Sequence, residues 1–162
     1  MNYLYHSVPE ILKEDVLLPQ DVLKRKHPRL YKEAMKKYKG RKHILKRKVQ
    51  FLNCSWSEVL SLSPVHPEKI SKALKIAGKK QIQKRKFYEI NPKKLDPEKT
   101  IVYLYKYDPI FEEGKMDNRD NFAPFKLRNL SKYDKVPNKT LEYYKEEIKS
   151  GRKPCYIILF HI

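Results

Sequence analysis

Apolar and polar positions change period several times along this chain, and each change marks an element. "NYLYH" (2–6) reads as a strand, and Pro9 begins a short helix carrying Val8, Ile11 and Leu12. A second helix is predicted over about 28–39. Pro28 suits its first position and Gly40 its end, and Leu30, Tyr31, Ala34, Met35 and Tyr38 fall within about 140° at 100° per residue. "VQFLNCSW" (49–56) reads as a strand running into a turn. "SPVHPEKISKALKIAG" gives a helix with Pro67 first, Ile70, Ala73, Leu74 and Ala77 as its stripe and Gly78 after it.

The second half alternates more sharply. "KRKFYEINP" (84–92) is a strand stopped by Pro92. In "KTIVYLYKYDP" (99–109) Ile101, Tyr103, Tyr105 and Tyr107 share one face of a strand, and Val102, Leu104 and Lys106 the other. Residues 110–137 show little periodicity and much turn chemistry, which predicts a long loop pinned by Phe122 and Phe125. "NKTLEYYKEEIKSG" is a helix capped by Asn138 that buries Leu141, Tyr144 and Ile148 and stops at Gly151. The nearly all-apolar "CYIILFHI" predicts an inner strand. Strands and helices mix without a βαβ rhythm, and the four glycines form no phosphate loop. The expected architecture is an α+β single domain over 1–162, with one mixed or largely antiparallel sheet and helices packed on it.

Charge changes the picture most. The net charge is +18, and residues 21–86 hold 21 Lys and Arg against only Asp21, Glu33, Glu58 and Glu68. The rest of the chain is nearly balanced. In the 28–39 helix Arg29, Lys32, Lys36 and Lys39 lie opposite the apolar stripe, and Arg41, Lys42, Lys46, Arg47 and Lys48 follow. A second run supplies Lys79, Lys80, Lys84 and Arg85. A face of one sign repels itself unless it meets a polyanion, and phosphate backbones release counterions when neutralised. RNA or DNA is therefore the expected partner. No zinc-finger, RNP-type or helix-turn-helix signature points to sequence-specific reading. The absence of a long apolar run and of a secretory start predicts no membrane partner and a cytoplasmic protein. Cys54 and Cys155 lack ligand spacing and read as reduced thiols, with no metal predicted, and the Lys and Glu content points to a thermophile.

Candidate chemistry is sparse. His27 and His43 sit among cations and read as phosphate contacts, His66 as a helix cap, and His161 as a structural residue. Trp56 reads as a core anchor, and Asp117, Arg119 and Asp120 as an ion-paired group in the long loop. Nothing in the spacing pairs Cys54 with a histidine. His6 ends a strand just before a helix start, a place suited to a sugar or phosphate.

The stretch "LYHSVPEILKEDVLLP" resembles the opening of ADP-ribosyltransferase-like families, in which a strand ending in Tyr-His precedes a helix and a "G-L-L-P" segment. This group includes RNA 2'-phosphotransferases and DarT-type enzymes that modify DNA. Asp15 stands where the family pattern has glycine. The resemblance implies NAD as cofactor, with His6 on its ribose, Tyr103 or Tyr105 stacked on nicotinamide or a base, and an acid that stabilises an oxocarbenium-like transition state. Glu89, on "KFYEI", is the nominated acid. Three readings follow: an NAD-using transferase acting on nucleic acid or a phosphorylated end, a non-catalytic RNA- or DNA-binding protein, and a metal-independent nuclease using His6 with another histidine.

Overall fold

A computed structural model describes residues 2–9, 16–40, 42–104, 119–151 and 159–161. The helix expected after Pro9, Arg41, Tyr105, Asp117, Cys155 and most of the last apolar run lie outside the described residues. The fold class is α+β, as expected. In chain order the elements are β1 Leu4–Ser7, α1 Gln20–Lys26, α2 Pro28–Met35, β2 Lys48–Val49, β3 Cys54–Ser55 and β4 Ser61–Leu62. They continue with α3 Pro67–Ile76, β5 Phe87–Ile90, β6 Ile101–Tyr103, β7 Phe122–Pro124, α4 Asn138–Lys149 and β8 Leu159–His161. Among the described residues there are, instead of one sheet, two antiparallel pairs, β1–β5 and β2–β3, and a four-stranded sheet of order β4-β8-β6-β7. β8 takes an inner position there.

The chain divides into two compact units built from interleaved segments. The first comprises Met1–Val8, Leu62–Leu95 and Lys126–Leu159. Its core is the seam of α3 and α4, where Ala73, Leu74, Ala77 and Tyr144 are buried and Ile70, Ile82, Leu141 and Ile148 close around them. Small residues on α3 let the α4 tyrosine approach. His66 caps α3 by accepting the Glu68 amide on Nδ1 at 3.2 Å, as its position predicts. At the other end Gly78, at φ +104°, sends its amide to Lys75 O while the Lys79 amide reaches Leu74 O, the hydrogen-bond pair of a Schellman stop. Asn138 does not cap α4: Pro137 stands at the cap and Asn138 is the first helical residue, with no side-chain cap bond.

The second unit comprises Pro9–Ser61, Asp96–Phe125 and Phe160–Ile162. α1 went unpredicted because its seven residues carry only Val22 and Leu23 as an apolar signal. It ends at Lys26 because Pro28 disfavours helical backbone at His27, which adopts φ −137° and ψ 67°. The expected 49–56 strand is a hairpin: β2 and β3 pair Lys48 with Ser55 and Val49 with Cys54, and Phe51 and Asn53 turn the chain at φ 70° and 51°. Residues 110–118 of the expected long loop lie outside the described residues; residues 119–137 are structured, with Phe122 and Tyr103 paired across β7 and β6 and Phe125 buried beyond them. Phe122 and Phe125 thus pin it as predicted. Among the described residues no helix is long and apolar enough to cross a membrane.

Candidate nucleic-acid interface

The helix expected over 28–39 is α-helical only to Met35 and tightens into a 3₁₀ turn over Lys36–Tyr38. Leu30, Tyr31, Ala34, Met35 and Tyr38 are half-buried along this stretch, while Arg29, Lys32, Lys36 and Lys39 are exposed. α1 adds exposed Lys24, Arg25 and Lys26 in its last turn, and Lys42, Lys46 and Lys48 are exposed beyond α2. The helices pack on one another, so one-residue His27 holds both cationic stretches on a single helical hairpin. Two carboxylates serve it: Asp21 pairs with Arg25 at 3.6 Å, and Glu33 with Lys36. Lys24, Lys26, Arg29, Lys32, Lys39 and Lys42 have no ion pair among the described residues. Six such like charges within one stretch of nineteen residues (24–42) raise the energy of the bare surface and lower that of a polyanion laid on it.

The second basic run is a separate feature. Lys80, Lys84 and Arg85 are exposed and Lys79 half-buried, on an irregular segment leading into β5. That segment belongs to the first unit and the helical hairpin to the second.

Two expected ligand contacts are core residues instead. Arg47 is 2% exposed, with its guanidinium 5.2 Å from the Trp56 ring centre and its carbonyl accepting the Trp56 amide at 2.9 Å. It stabilises the core through a cation–aromatic contact and presents nothing to a phosphate. Tyr103 is 3% exposed and wedged edge-on between Trp56, 5.5 Å away, and Phe122, 5.1 Å away. Both faces of β6 are buried over Ile101–Tyr103, so Tyr103 cannot stack on a nicotinamide or base. Trp56 is the core anchor expected. Burial alternates here, with Leu45, Arg47 and Val49 buried and Lys46 and Lys48 exposed, but across a 3₁₀ helix (Lys42–Lys46), a bend and the start of β2, so no single period in the sequence announces Arg47.

His6 and Glu89 lie on neighbouring strands of the β1–β5 pair, but their register separates them. His6 faces Tyr88 and Glu89 faces Tyr5. Residues directly opposite share a face and successive ones alternate, so His6 and Glu89 point to opposite faces and form no acid–histidine site. Tyr5 also bonds along its other edge to Ser63 and packs edge-on against His66 at 5.1 Å. Burial, then the charge of Glu89, raises its phenol pKa.

A cleft of about 240 Å³ is lined by Leu52, Cys54, Glu58, Val59, Glu98 and Lys99. Burial, then Glu58, pushes the Cys54 thiol up, which keeps it protonated, and no histidine lines the cleft. Glu58 closes a capping box: its Oε2 accepts the Ser55 amide at 2.7 Å and the Ser55 hydroxyl at 2.8 Å, which holds its carboxyl below the usual range. Among the described residues no three metal-ligating side chains gather. No family model, curated protein or solved structure matches this chain significantly.

Proposed function

We propose that this protein is a cytoplasmic nucleic-acid-binding protein that grips the phosphate backbone through the α1–α2 hairpin without catalysing a reaction on it. The observation that carries this reading is a set of six exposed cations with no ion pair among the described residues, four on that hairpin (Lys24, Lys26, Arg29 and Lys32) and two just after it (Lys39 and Lys42). Lys and Arg on one helical surface neutralise phosphates irrespective of sequence, so affinity for RNA and DNA is similar and governed by salt. The buried tyrosine leaves base stacking to other side chains, and the contact is one of charge. The transferase reading has less support, since His6 and Glu89 diverge and Tyr103 is inaccessible. The test is fluorescence anisotropy of labelled single-stranded RNA and duplex DNA across a salt series. Binding of both that weakens steeply with salt is expected; no association with either at about 50 mM salt overturns the reading.

A further inference from the structure

A second basic feature lies outside the run 21–86, in the first unit. A surface pocket of about 210 Å³ is lined by Asn2, Pro92, Lys93, Leu127, Arg128, Leu130 and Ser131. Its wall is a 3₁₀ helix over Leu127–Tyr133. With three residues per turn, positions three apart eclipse one another. Leu127 and Leu130 therefore form one ridge, and Arg128 and Ser131 the ridge beside it. Leu130 is buried and anchors the helix, while Leu127 stays 44% exposed at the rim. The facing wall is the turn Pro92–Lys94, held by the Asn91 side chain, whose Oδ1 accepts the Lys93 amide at 3.0 Å.

The lining is chemically divided. Arg128, Lys93, Ser131 and Asn2 supply donors, and Pro92, Leu127 and Leu130 supply an apolar patch. No carboxylate lines the pocket, and neither Arg128 nor Lys93 has an ion pair among the described residues. Asp134, the acid nearest in sequence to this helix, is engaged by Lys69 at 3.0 Å. Two cationic residues lining one concavity with no carboxylate beside them disfavour a cationic or metal ligand and favour a dianion. The planar guanidinium suits two phosphoryl oxygens at once, and the ammonium adds a point charge. The volume lies below the ~300 Å³ typical of sites that enclose a whole ligand, so it suits a phosphoryl group and the sugar or ring next to it.

From this geometry we infer that the pocket between the Pro92–Lys94 turn and the Leu127–Tyr133 helix binds a small organic phosphate monoester, its phosphoryl group on Arg128 and Lys93 and its carbon skeleton on Leu127, Leu130 and Pro92. The site is independent of the helical hairpin, which contributes no residue to it.

Amide chemical-shift titration of the full chain with adenosine monophosphate, inorganic phosphate and adenosine tests it. Adenosine monophosphate is expected to saturate with Kd on the order of 0.1–1 mM, shifting amides of residues 93 and 127–131. Inorganic phosphate is expected to bind about tenfold more weakly, and adenosine not at all. Arg128→Ala, at an exposed position, is expected to weaken the monophosphate about tenfold or more, with Arg128→Lys recovering part of the loss. Several outcomes overturn the inference: no saturation by about 10 mM, equal affinity for inorganic phosphate, or unchanged binding by Lys93→Ala/Arg128→Ala. The triple variant Arg29→Ala/Lys32→Ala/Lys39→Ala is expected to keep full monophosphate binding, so loss of nucleic-acid affinity and loss of this site read out separately.

Discussion

Removing Arg29, Lys32 and Lys39 together halves the six cations without an ion pair among the described residues on the α1–α2 hairpin and the turns just after it, and the consequence can be worked out before measurement. If all six engage duplex DNA, the logarithm of affinity falls against the logarithm of salt with a slope of about −5.4, and with three left it falls at about −2.7. The lost contacts weaken binding by about 500-fold at 0.1 M salt, some 3.7 kcal/mol, because each released counterion counts against a tenfold dilution from 1 M. At 0.5 M salt the same variant loses about sixfold. All three side chains are exposed, so folding stability should change by less than about 0.5 kcal/mol, and thermal unfolding checks that. Lys139→Ala/Lys145→Ala/Lys149→Ala removes equal charge from exposed positions on α4 and should leave the slope unchanged. Anisotropy at several salt concentrations reads both numbers. An equal fold-loss at 0.1 and 0.5 M, or an equal loss in the α4 variant, would refute backbone neutralisation by this hairpin.

Other expectations concern the framework. Arg47→Met should leave the salt slope intact while urea denaturation shows a loss of about 0.5–2 kcal/mol from the contact with Trp56. Tyr103→Ala, which empties the space between Trp56 and Phe122, should cost about 3–5 kcal/mol in the same assay. Gly78→Ala should destabilise by about 1 kcal/mol, because φ +104° strains any residue with a Cβ; the added methyl meets only Ile148 Cγ2 at 3.9 Å, so strain and not crowding is measured. Glu58 has a folded pKa below its unfolded one, so its contribution is present above about pH 4.3 and is lost as pH falls through the lower folded value. Glu58→Gln should flatten the pH dependence of the melting temperature in that acid window alone.

Long periodic helices were legible in the sequence; short elements held by distant partners were not. α3 and α4 carry stripes that repeat over ten and twelve residues; the buried Ala73, Leu74 and Tyr144 fall on them, while Thr140, off the expected stripe, is buried as well and Leu141 and Ile148 are only half-buried. The expected cationic face of α2 is the exposed one for the same reason. β2 and β3 are two residues each, and their turn depends on left-handed Phe51 and Asn53. No propensity announces a phenylalanine there; its ring lies under the Arg119 guanidinium at 4.9 Å, a contact from residues nearly seventy positions away. β7 is hidden in a stretch rich in turn residues because its partner β6, not its own pattern, makes it a strand.

The same distinction decides the candidate sites. A residue type shows what chemistry is available, and register shows whether it is assembled. His6 and Glu89 are separated by one step of a pleat, since a shift of one residue in the β1–β5 pairing would have put them on the same face. Lys46, Arg47 and Lys48 are nearly identical as letters, yet the bend between the 3₁₀ helix and β2 sends the middle one into the core, where the Trp56 ring offsets part of the cost of desolvating its charge. In the proposed function, charge on the helical hairpin has no comparable dependence on register, because any exposed position on α1 or α2 would serve a phosphate equally well. A function of that kind would lose about tenfold at 0.1 M salt with each single substitution and would be abolished only by changes that remove several cations at once.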